Sequence, residues 1–305
     1  MKIILTGASG FVGSSLTSFF KDKPEINMMP LSIRTPLAAD ALKGADCVIH
    51  LAGKAHDLKR SSNPAEYYTV NFELTKNLFD AFIKSDAKKF IFMSSVKAAA
   101  DAVDGVLTEK TLPNPQTDYG KSKLMAEEYI QKQELPEGKS YYILRPCMIH
   151  GPGNKGNLNL LYGFVKKGLP YPLAAFENRR SFLSIENLCS VIEKLMTSTM
   201  ASDVFQVADD DALSTNDVVG ILADSLGKKP RLMAIPAPLI ESVAKLGDVL
   251  RLPINTERLN KLTENYVVSN EKIKSLLGIA FPLTSRQGLE ITARSFAKNY
   301  RNLVK

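Results

Sequence analysis

Tyr119 and Lys123 stand four residues apart in a segment rich in helix-forming residues, so a phenol and an ammonium would share one helix face. A free tyrosine ionises near pH 10, and a nearby positive charge lowers that pKa. The pair therefore predicts an acid/base group that works near neutral pH. The alternative is a surface pair worth about 0.3 kcal/mol. A hydroxyl, Ser95, ends a predicted strand 24 residues before Tyr119, which favours the chemical interpretation.

Three glycines, Gly7, Gly10 and Gly13, follow a short apolar run and precede apolar residues at helical spacing, Leu16 and Phe19. The pattern predicts a buried strand that turns into a helix. Gly7 would permit the tight turn, Gly10 would let a pyrophosphate approach the backbone, and Gly13 would let the helix pack on the strand. The N–H groups at the helix start also favour phosphate. A plain strand–helix turn is the alternative, but spacing and context favour a dinucleotide site.

Apolar strands alternate with amphipathic helices, which predicts an α/β fold with a Rossmann-type doubly wound parallel sheet. A smaller C-terminal mixed α/β lobe is expected to bind the substrate. The dinucleotide-binding domain would comprise residues 1–150, completed by about 183–208, and the substrate lobe 151–182 and 209–305. Further strands are predicted at 28–33, 47–53, 89–95, 141–146 and 203–208, and helices at 37–43, 66–84, 118–133, 158–167, 188–198 and 237–250.

The composition is that of an ordinary soluble globular protein, with 305 residues, 45% of them hydrophobic, and a net charge of +7. The basic residues are scattered, which suits a small anionic ligand and argues against nucleic acid. No apolar run reaches the roughly eighteen residues that a membrane span needs. Cys47, Cys147 and Cys189 are far apart in apolar surroundings, so we expect reduced, buried thiols in a cytoplasmic protein without a metal site.

Several strings together resemble the extended short-chain dehydrogenase/reductases of the NAD-dependent epimerase/dehydratase family. They are Thr6–Gly13, His50–Gly53, Tyr119–Lys123 and Arg145–Gly153. The resemblance implies a catalytic set of Ser95, Tyr119 and Lys123. Ser94 is the rival for the serine role, and Ser95 is preferred because the string that follows it looks like the segment after the family's serine pair. His150 replaces the usual tyrosine of the last string and is expected to be structural.

The resemblance also implies binding residues for NAD or NADP. The stretch 51–53 would pass under the adenine ribose, Pro146 would lie near the nicotinamide, and Lys123 would bond the nicotinamide ribose. For Asn71, a buried amide bonded to backbone is the structural alternative. The implied set is Gly7, Gly10, Phe11, Val12, Gly13, Leu51, Ala52, Gly53, Asn71, Lys123 and Pro146.

On the substrate side, the resemblance implies Ser95 and two further residues. Asn157, in the string Lys155–Asn157, would meet the diphosphate or the hexose. Arg180 would meet the nucleotide diphosphate, and a guanidinium suits phosphate oxygens by geometry. The alternative for Arg180 is membership of a surface arginine pair.

The second strand bears on the choice between NAD and NADP. NAD sites of this fold place a carboxylate about twenty residues beyond the glycines. Residues 26–39 contain no acid, and Arg34 lies close to that position. An arginine there can meet a 2′-phosphate, although it could instead stack over the adenine and let either cofactor bind. We therefore expect NADP to be at least tolerated.

The whole chain is most similar to UDP-glucose 4-epimerase-like proteins, which implies redox chemistry at C4 of a UDP-hexose. The alternative, which Arg34 favours, is an NADPH-dependent 4-reductase of UDP-4-keto-6-deoxy-hexoses or hexosamines. A dehydratase is disfavoured, since related dehydratases carry an acid pair where this chain has Val96 and Lys97. A non-catalytic dinucleotide-binding sensor is a third hypothesis, against which the retained catalytic set argues. A homodimer is a further expectation.

Overall fold

The computed structural model describes residues 1–54, 63–154, 156–250 and 255–303. The strands are β1 (Lys2–Thr6), β2 (Asn27–Leu31), β3 (Cys47–His50), β4 (Lys89–Met93), β5 (Val106–Leu107), β6 (Ser140–Pro146), β7 (Met148–His150), β8 (Phe182–Ser184), β9 (Asp203–Val207) and β10 (Val267–Val268). The α-helices are α1 (Phe11–Phe19), α2 (Pro64–Tyr67), α3 (Leu74–Lys84), α4 (Asp118–Lys132), α5 (Asn157–Lys166), α6 (Ile185–Thr197), α7 (Thr215–Asp224), α8 (Ala237–Leu250), α9 (Thr256–Thr263), α10 (Glu271–Leu277) and α11 (Ser285–Leu303).

Six strands form one parallel sheet in the order β2-β1-β3-β4-β6-β9. The central strands are almost entirely buried, as expected when helices cover both faces of a parallel sheet. The predicted doubly wound sheet is confirmed. Since all six strands run the same way, their carboxyl ends meet at one edge, where a ligand crevice forms in such folds.

Alternate residues of each strand enter two separate cores. On one face, Ile3 and Leu5 pack with Leu16 of α1 and Leu188 of α6. On the other, Ile4 and the neighbouring strands pack with apolar side chains of α3 and α4. This two-sided burial fixes the register, because a shift of one residue would exchange the two faces.

The C-terminal part forms a third core from helices α5, α7, α8, α9 and α11. Two short parallel pairs, β7 with β8 and β5 with β10, join it to the sheet-bearing part. The chain also returns to the large sheet, where β9 pairs with β6. The segment after residue 208 therefore stays tied to the carboxyl edge of the sheet.

Three predicted helices differ in the structure. Residues 37–43 form no helix but successive turns, in which N–H groups bond to the carbonyl three residues back. So short a segment gains little from helix formation without a packed face, and Leu42 is its buried residue. Helix α6 begins at Ile185 rather than 188, because the Ser184 side chain accepts from the Asn187 N–H and caps it.

The long helix predicted for residues 66–84 is divided. Helix α2 leads into a π-helical segment, Tyr68–Glu73, and α3 follows directly. Such π-helical turns occur often at functional sites. Asn71 lies in this segment and is fully buried.

The three cysteines are free and buried, as predicted, and burial raises the pKa of the Cys47 thiol to about 12. Within the described ranges, no helix is both long and apolar enough to cross a bilayer. In the same ranges, no group of three or more His, Cys, Asp and Glu side chains could hold a metal ion.

Candidate active site

The glycine turn joins β1 to α1 at the carboxyl edge of the sheet. Gly7 has a φ of +71°, and a Cβ there would lie 2.7 Å from the Ala52 nitrogen. A Cβ at Gly13 would lie 2.3 Å from the Gly7 carbonyl oxygen. Gly10 is the N-cap of α1 and has no side chain to accept from the N–H groups at Phe11, Val12 and Gly13. The turn is thus closed to side chains but leaves the helix N-terminus open to an anion.

The loop after β3 lies against α4 through Gly53. A Cβ at Gly53 would lie 3.0 Å from Asn71 Oδ1 and 3.1 Å from Lys123 Nζ. Asn71 accepts from the Lys54 N–H at 2.7 Å and donates to the Lys54 carbonyl and to Ser122 Oγ, both at 3.1 Å. Its amide therefore positions the loop Leu51–Lys54 through protein contacts. This geometry fits the structural alternative for Asn71.

A buried histidine ties β1 to β3 at the same edge. His50 Nδ1 lies 2.7 Å from Thr6 Oγ1, and Nε2 lies 2.8 Å from Thr75 Oγ1. Thr6 Oγ1 also accepts from the Ala52 N–H. Burial, with a smaller contribution from the Lys123 charge, lowers the pKa of His50 to about 3. The imidazole is therefore neutral at physiological pH.

Ser95 and Tyr119 face each other across the carboxyl end of β4. The Ser95 hydroxyl is hydrogen-bonded to the Tyr119 phenol. Ser94 is turned the other way and donates to Glu127, which also accepts a bidentate ion pair from Arg145. Ser95 rather than Ser94 is therefore placed for the serine role.

Lys123 lies one helical turn beyond Tyr119 on α4. Its Nζ donates to the Met93 carbonyl at 2.9 Å and lies 4.9 Å from the centre of the Phe92 ring. Burial lowers the pKa of this ammonium to about 8, and Glu127 opposes that shift. The cation is therefore held at the end of β4, close to Gly53.

The pKa of Tyr119 differs from the expectation. The phenol was expected to ionise more easily than a free tyrosine, but burial raises its pKa. Tyr67, whose ring centre lies 6.1 Å away, raises it further, and the bond from Ser95 only partly opposes this. In the protein alone the phenol is therefore protonated at neutral pH.

The remaining predicted cofactor residues lie at the same edge. Pro146 ends β6 and is buried. Arg34 follows β2 and is exposed. Among the described residues, no hydrogen bond or ion pair engages the Arg34 guanidinium, so it is open to a ligand.

The predicted substrate residues are farther apart. Asn157 is the first residue of α5 and is exposed, and Lys155 lies outside the described residues. Arg180 is half-buried, with Nη1 donating to the Lys261 carbonyl at 2.9 Å and Nη2 lying 3.3 Å from Glu264 Oε1.

His150 lies in the interior. Its Nδ1 lies 2.9 Å from Thr292 Oγ1, and its ring stands edge-on to Phe182. This packing agrees with the structural role expected for it.

Sequence reasoning missed three residues that shape the site. Tyr67 packs against Tyr119, and Glu127 bonds to Ser94 and Arg145. The Lys97 N–H donates to Ser95 Oγ. The signal for Glu127 was weak, since it is one of several glutamates on a charged helix. Lys97 was noted only because it stands where related dehydratases carry an acid.

These features fit a nicotinamide dinucleotide. The glycine turn excludes side chains where the backbone must approach a pyrophosphate, and a buried cation and a phenol lie at the end of β4. The fold is thus that of a Rossmann-type dinucleotide-binding protein, with its candidate site at the carboxyl edge of the sheet.

The family follows from comparison with known sequences. The sequence model of the NAD dependent epimerase/dehydratase family matches residues 3–208. The chain belongs to this family. It is accordingly an enzyme of the NAD(P)-dependent epimerase/dehydratase type, and the predicted cofactor class is confirmed.

Individual relatives span nearly the whole chain. UDP-glucose 4-epimerase of Vibrio cholerae is 30% identical over 96% of this chain and 95% of its own. The N-acetyl-α-D-glucosaminyl-diphospho-ditrans,octacis-undecaprenol 4-epimerase of Escherichia coli O157:H7 is also 30% identical, over 95% and 93%. At 25% identity, GDP-6-deoxy-D-mannose reductase of Pseudomonas aeruginosa covers 77% and 84%.

Solved structures share the fold. MoeE5 in complex with UDP-glucose and NAD has a TM-score of 0.77 at 20% identity, over 98% of this chain and 100% of that one. The likeness therefore extends through the C-terminal part as well as the sheet.

Proposed function

We propose that the protein is a nucleotide-sugar 4-epimerase acting at C4 of a UDP-hexose. The observation that carries this is the grouping of Ser95, Tyr119 and Lys123 at the carboxyl end of β4, beside a glycine turn that fits a dinucleotide. The two relatives at 30% identity are both named as 4-epimerases.

Tyr119 would move the proton of the 4-hydroxyl while Ser95 holds the same oxygen by a hydrogen bond. A bound nicotinamide would supply the hydride acceptor for C4 and, in its oxidised form, a positive charge. That charge and the Lys123 ammonium would lower the pKa of a phenol that burial alone keeps protonated. After the 4-keto sugar turns, Tyr119 would return the proton with hydride delivered to the other face.

The chain's own residues would hold the cofactor along its whole length. The N–H groups of Gly10, Phe11, Val12 and Gly13 would meet the pyrophosphate. Leu51, Ala52 and Gly53, fixed by Asn71, would lie along the adenine ribose.

At the opposite end of the cofactor, Lys123 would bond the nicotinamide ribose, with Pro146 near the ring. Arg34 would lie at the adenosine 2′ position, where it would admit NADP.

The substrate would lie between the sheet edge and the C-terminal part, with Arg180 on the diphosphate and Asn157 nearby. In this proposal residues 1–150 and 183–208 bind the dinucleotide, and 151–182 and 209–305 bind the sugar. The group beyond the diphosphate is a separate question, since one relative is named for UDP and another for an undecaprenyl diphosphate. The homodimer stays a prediction.

The test is product formation by the purified protein. UDP-glucose and UDP-N-acetylglucosamine, each with NAD, should give their C4 epimers, resolved by proton NMR of the anomeric signals. Tyr119→Phe is the inactive control. Failure of the wild type to epimerise any UDP-hexose in a panel would refute the proposal.

A second candidate is the 4-reductase of a UDP-4-keto-6-deoxy sugar. Two observations favour it: the unengaged Arg34 suits free NADPH, and a protonated Tyr119 suits proton donation. In this case the protein would oxidise NADPH stoichiometrically with a UDP-4-keto-6-deoxy-hexosamine and leave UDP-hexoses unchanged. A sensor would bind the dinucleotide and turn over neither substrate.

A further inference from the structure

Lys97 is anchored between the two residues of the proposed proton path. It lies in the 3₁₀ turn Val96–Ala98, and its N–H donates to Ser95 Oγ at 3.2 Å. A Cβ at Gly120, the residue after Tyr119, would lie 2.4 Å from the Lys97 carbonyl oxygen. The Lys97 backbone therefore packs against Gly120. It thus contacts both Ser95 and the residue that follows Tyr119.

The Lys97 ammonium is half-buried and lacks a counterion. Its Nζ donates to the Asp101 carbonyl at 2.7 Å and lies 4.5 Å from the centre of the Tyr266 ring. In the part of the chain that the structure describes, no carboxylate lies within 4 Å of it. The Asp101 carboxylate is engaged by the Gln116 and Thr117 N–H groups. Burial lowers the pKa of Lys97, although Asp101 and Glu264 oppose this.

The partners of two other buried cations, Arg145 and Lys123, can be compared with those of the Lys97 ammonium. Arg145 is neutralised by a bidentate pair with Glu127, the ordinary arrangement for a buried charge. Lys123 instead has one backbone carbonyl and one aromatic ring, and it is the cation expected to meet the cofactor. Lys97 has the second arrangement. A desolvated ammonium without a carboxylate is costly unless an anion completes it.

The surroundings indicate which anion. The Lys97 ammonium lies over the Tyr266 ring, and Tyr266 forms a backbone β-bridge with Arg180. Arg180 and Lys261 both lie within electrostatic range of the ammonium. Arg180 is paired with Glu264 and Lys261 with Glu257, whereas Lys97 has no such carboxylate partner among the described residues. A group with several charged oxygens matches this arrangement better than a neutral hydroxyl does.

We propose that the Lys97 ammonium, together with Arg180, binds the diphosphate of the sugar substrate. The assignment rests on the proposed function for the choice of substrate, but it applies equally to a nucleoside diphosphate and to a lipid diphosphate. Lys97 would then couple the diphosphate to the residue pair that handles the C4 proton.

The experiment measures ligand binding without turnover. Calorimetry with UDP and with inorganic pyrophosphate compares wild type, Lys97→Met and Lys97→Arg. Methionine keeps the stem over Tyr266 and removes the charge, so affinity for both ligands should fall about tenfold to a hundredfold. Arginine keeps the charge and should restore affinity to within about threefold. The weakening of UDP binding by salt should be shallower for Lys97→Met than for wild type.

Controls separate this contact from a structural role. Lys121→Met removes an exposed charge from α4 and should leave UDP affinity unchanged. Lys97→Gln is a second neutral variant, and both neutral variants should melt, without ligand, within a few degrees of wild type.

Several outcomes would overturn the assignment. Wild-type affinity of Lys97→Met for UDP would do so, as would failure of the wild type to bind either ligand. With UDP-glucuronate as a third ligand, a loss of affinity for that ligand alone would show that the ammonium contacts a sugar carboxylate and not the diphosphate. Failure of the epimerase assay leaves the binding result standing, so the two proposals fail separately.

Discussion

The cofactor side and the substrate side of the site are built in different ways. On the cofactor side the backbone itself comes close at Gly7 and Gly13, where a Cβ would collide with main-chain atoms, and a Cβ at Gly53 would crowd the ends of the Asn71 and Lys123 side chains. On the substrate side, side chains from distant segments converge, with Lys97 and Arg180 near Tyr266. The first arrangement tolerates almost no change, whereas the second can be altered one side chain at a time. This difference fits a fixed cofactor and a substrate that varies among relatives.

The largest effect is expected where the two sides meet. Tyr119→Phe should lower kcat by about 10²–10⁴-fold, because the phenol transfers the proton in the chemical step. Affinity for UDP should stay near wild type. Tyr129→Phe, on the same helix but bonded to Asp80, is the matched control for steady-state kinetics. Retention of more than a few per cent of kcat in Tyr119→Phe would remove the acid/base assignment.

A glycine of the cofactor side should come next. Gly13→Ala places a Cβ 2.3 Å from the Gly7 carbonyl, and the turn must open to accommodate it. Dinucleotide affinity, measured by fluorescence titration, should fall at least about tenfold, with about 1–3 kcal/mol lost from the free energy of unfolding. Gly220→Ala lies in open space inside α7 and should leave dinucleotide affinity unchanged, while helix propensity raises the free energy of unfolding by about 0.5–1 kcal/mol. If Gly13→Ala bound NAD normally, the close backbone approach would not be needed.

The substrate side should respond more moderately. Arg180→Ala should weaken UDP and UDP-glucose binding alike by about tenfold, because the lost contact is to phosphate. Arg179→Ala removes the exposed neighbouring guanidinium and serves as the control. Calorimetric affinities for UDP that match between wild type and Arg180→Ala would exclude Arg180 from the site.

The smallest effect should be selective for one cofactor. Arg34→Ala should weaken NADPH binding by up to about tenfold and leave NADH binding nearly unchanged, because the guanidinium meets only the 2′-phosphate. Titration of both cofactors measures this, with Lys84→Ala as an exposed control. Tight NADH binding by wild type without detectable NADPH binding would contradict the hypothesis and strengthen the epimerase over the reductase.

The cofactor side could be predicted from sequence because its requirements are local. Glycine spacing, the strand before it and the helix after it lie within twenty residues, and the Tyr119–Lys123 spacing is one helical turn. The parallel sheet could be predicted from continuous apolar runs, which are typical of strands covered by helices on both faces. The helix predicted for residues 37–43 was wrong, because helical composition does not decide between a helix and successive turns in so short a segment.

The substrate side could not be predicted in the same way. The environment of Lys97 depends on Tyr266, which a different part of the chain brings in. Arg180 was proposed as a site residue only through family resemblance, and its contacts with Lys261 and Glu264 had no signal in the sequence. The raised pKa of Tyr119 also depends on burial by the folded chain, which the spacing of two residues does not reveal.

The π-helical segment Tyr68–Glu73 has a consequence for insertions and deletions. A π turn contains about one residue more than an α turn, so removing one residue here could restore an uninterrupted α-helix. The flanking helical segments would keep their relative orientation, because the π turn absorbs its extra residue within one turn, but the side chains inside the segment would be repositioned. Asn71 would then lose Lys54 and Ser122. A one-residue deletion should thus yield a well-folded protein whose β3 loop no longer fits a dinucleotide.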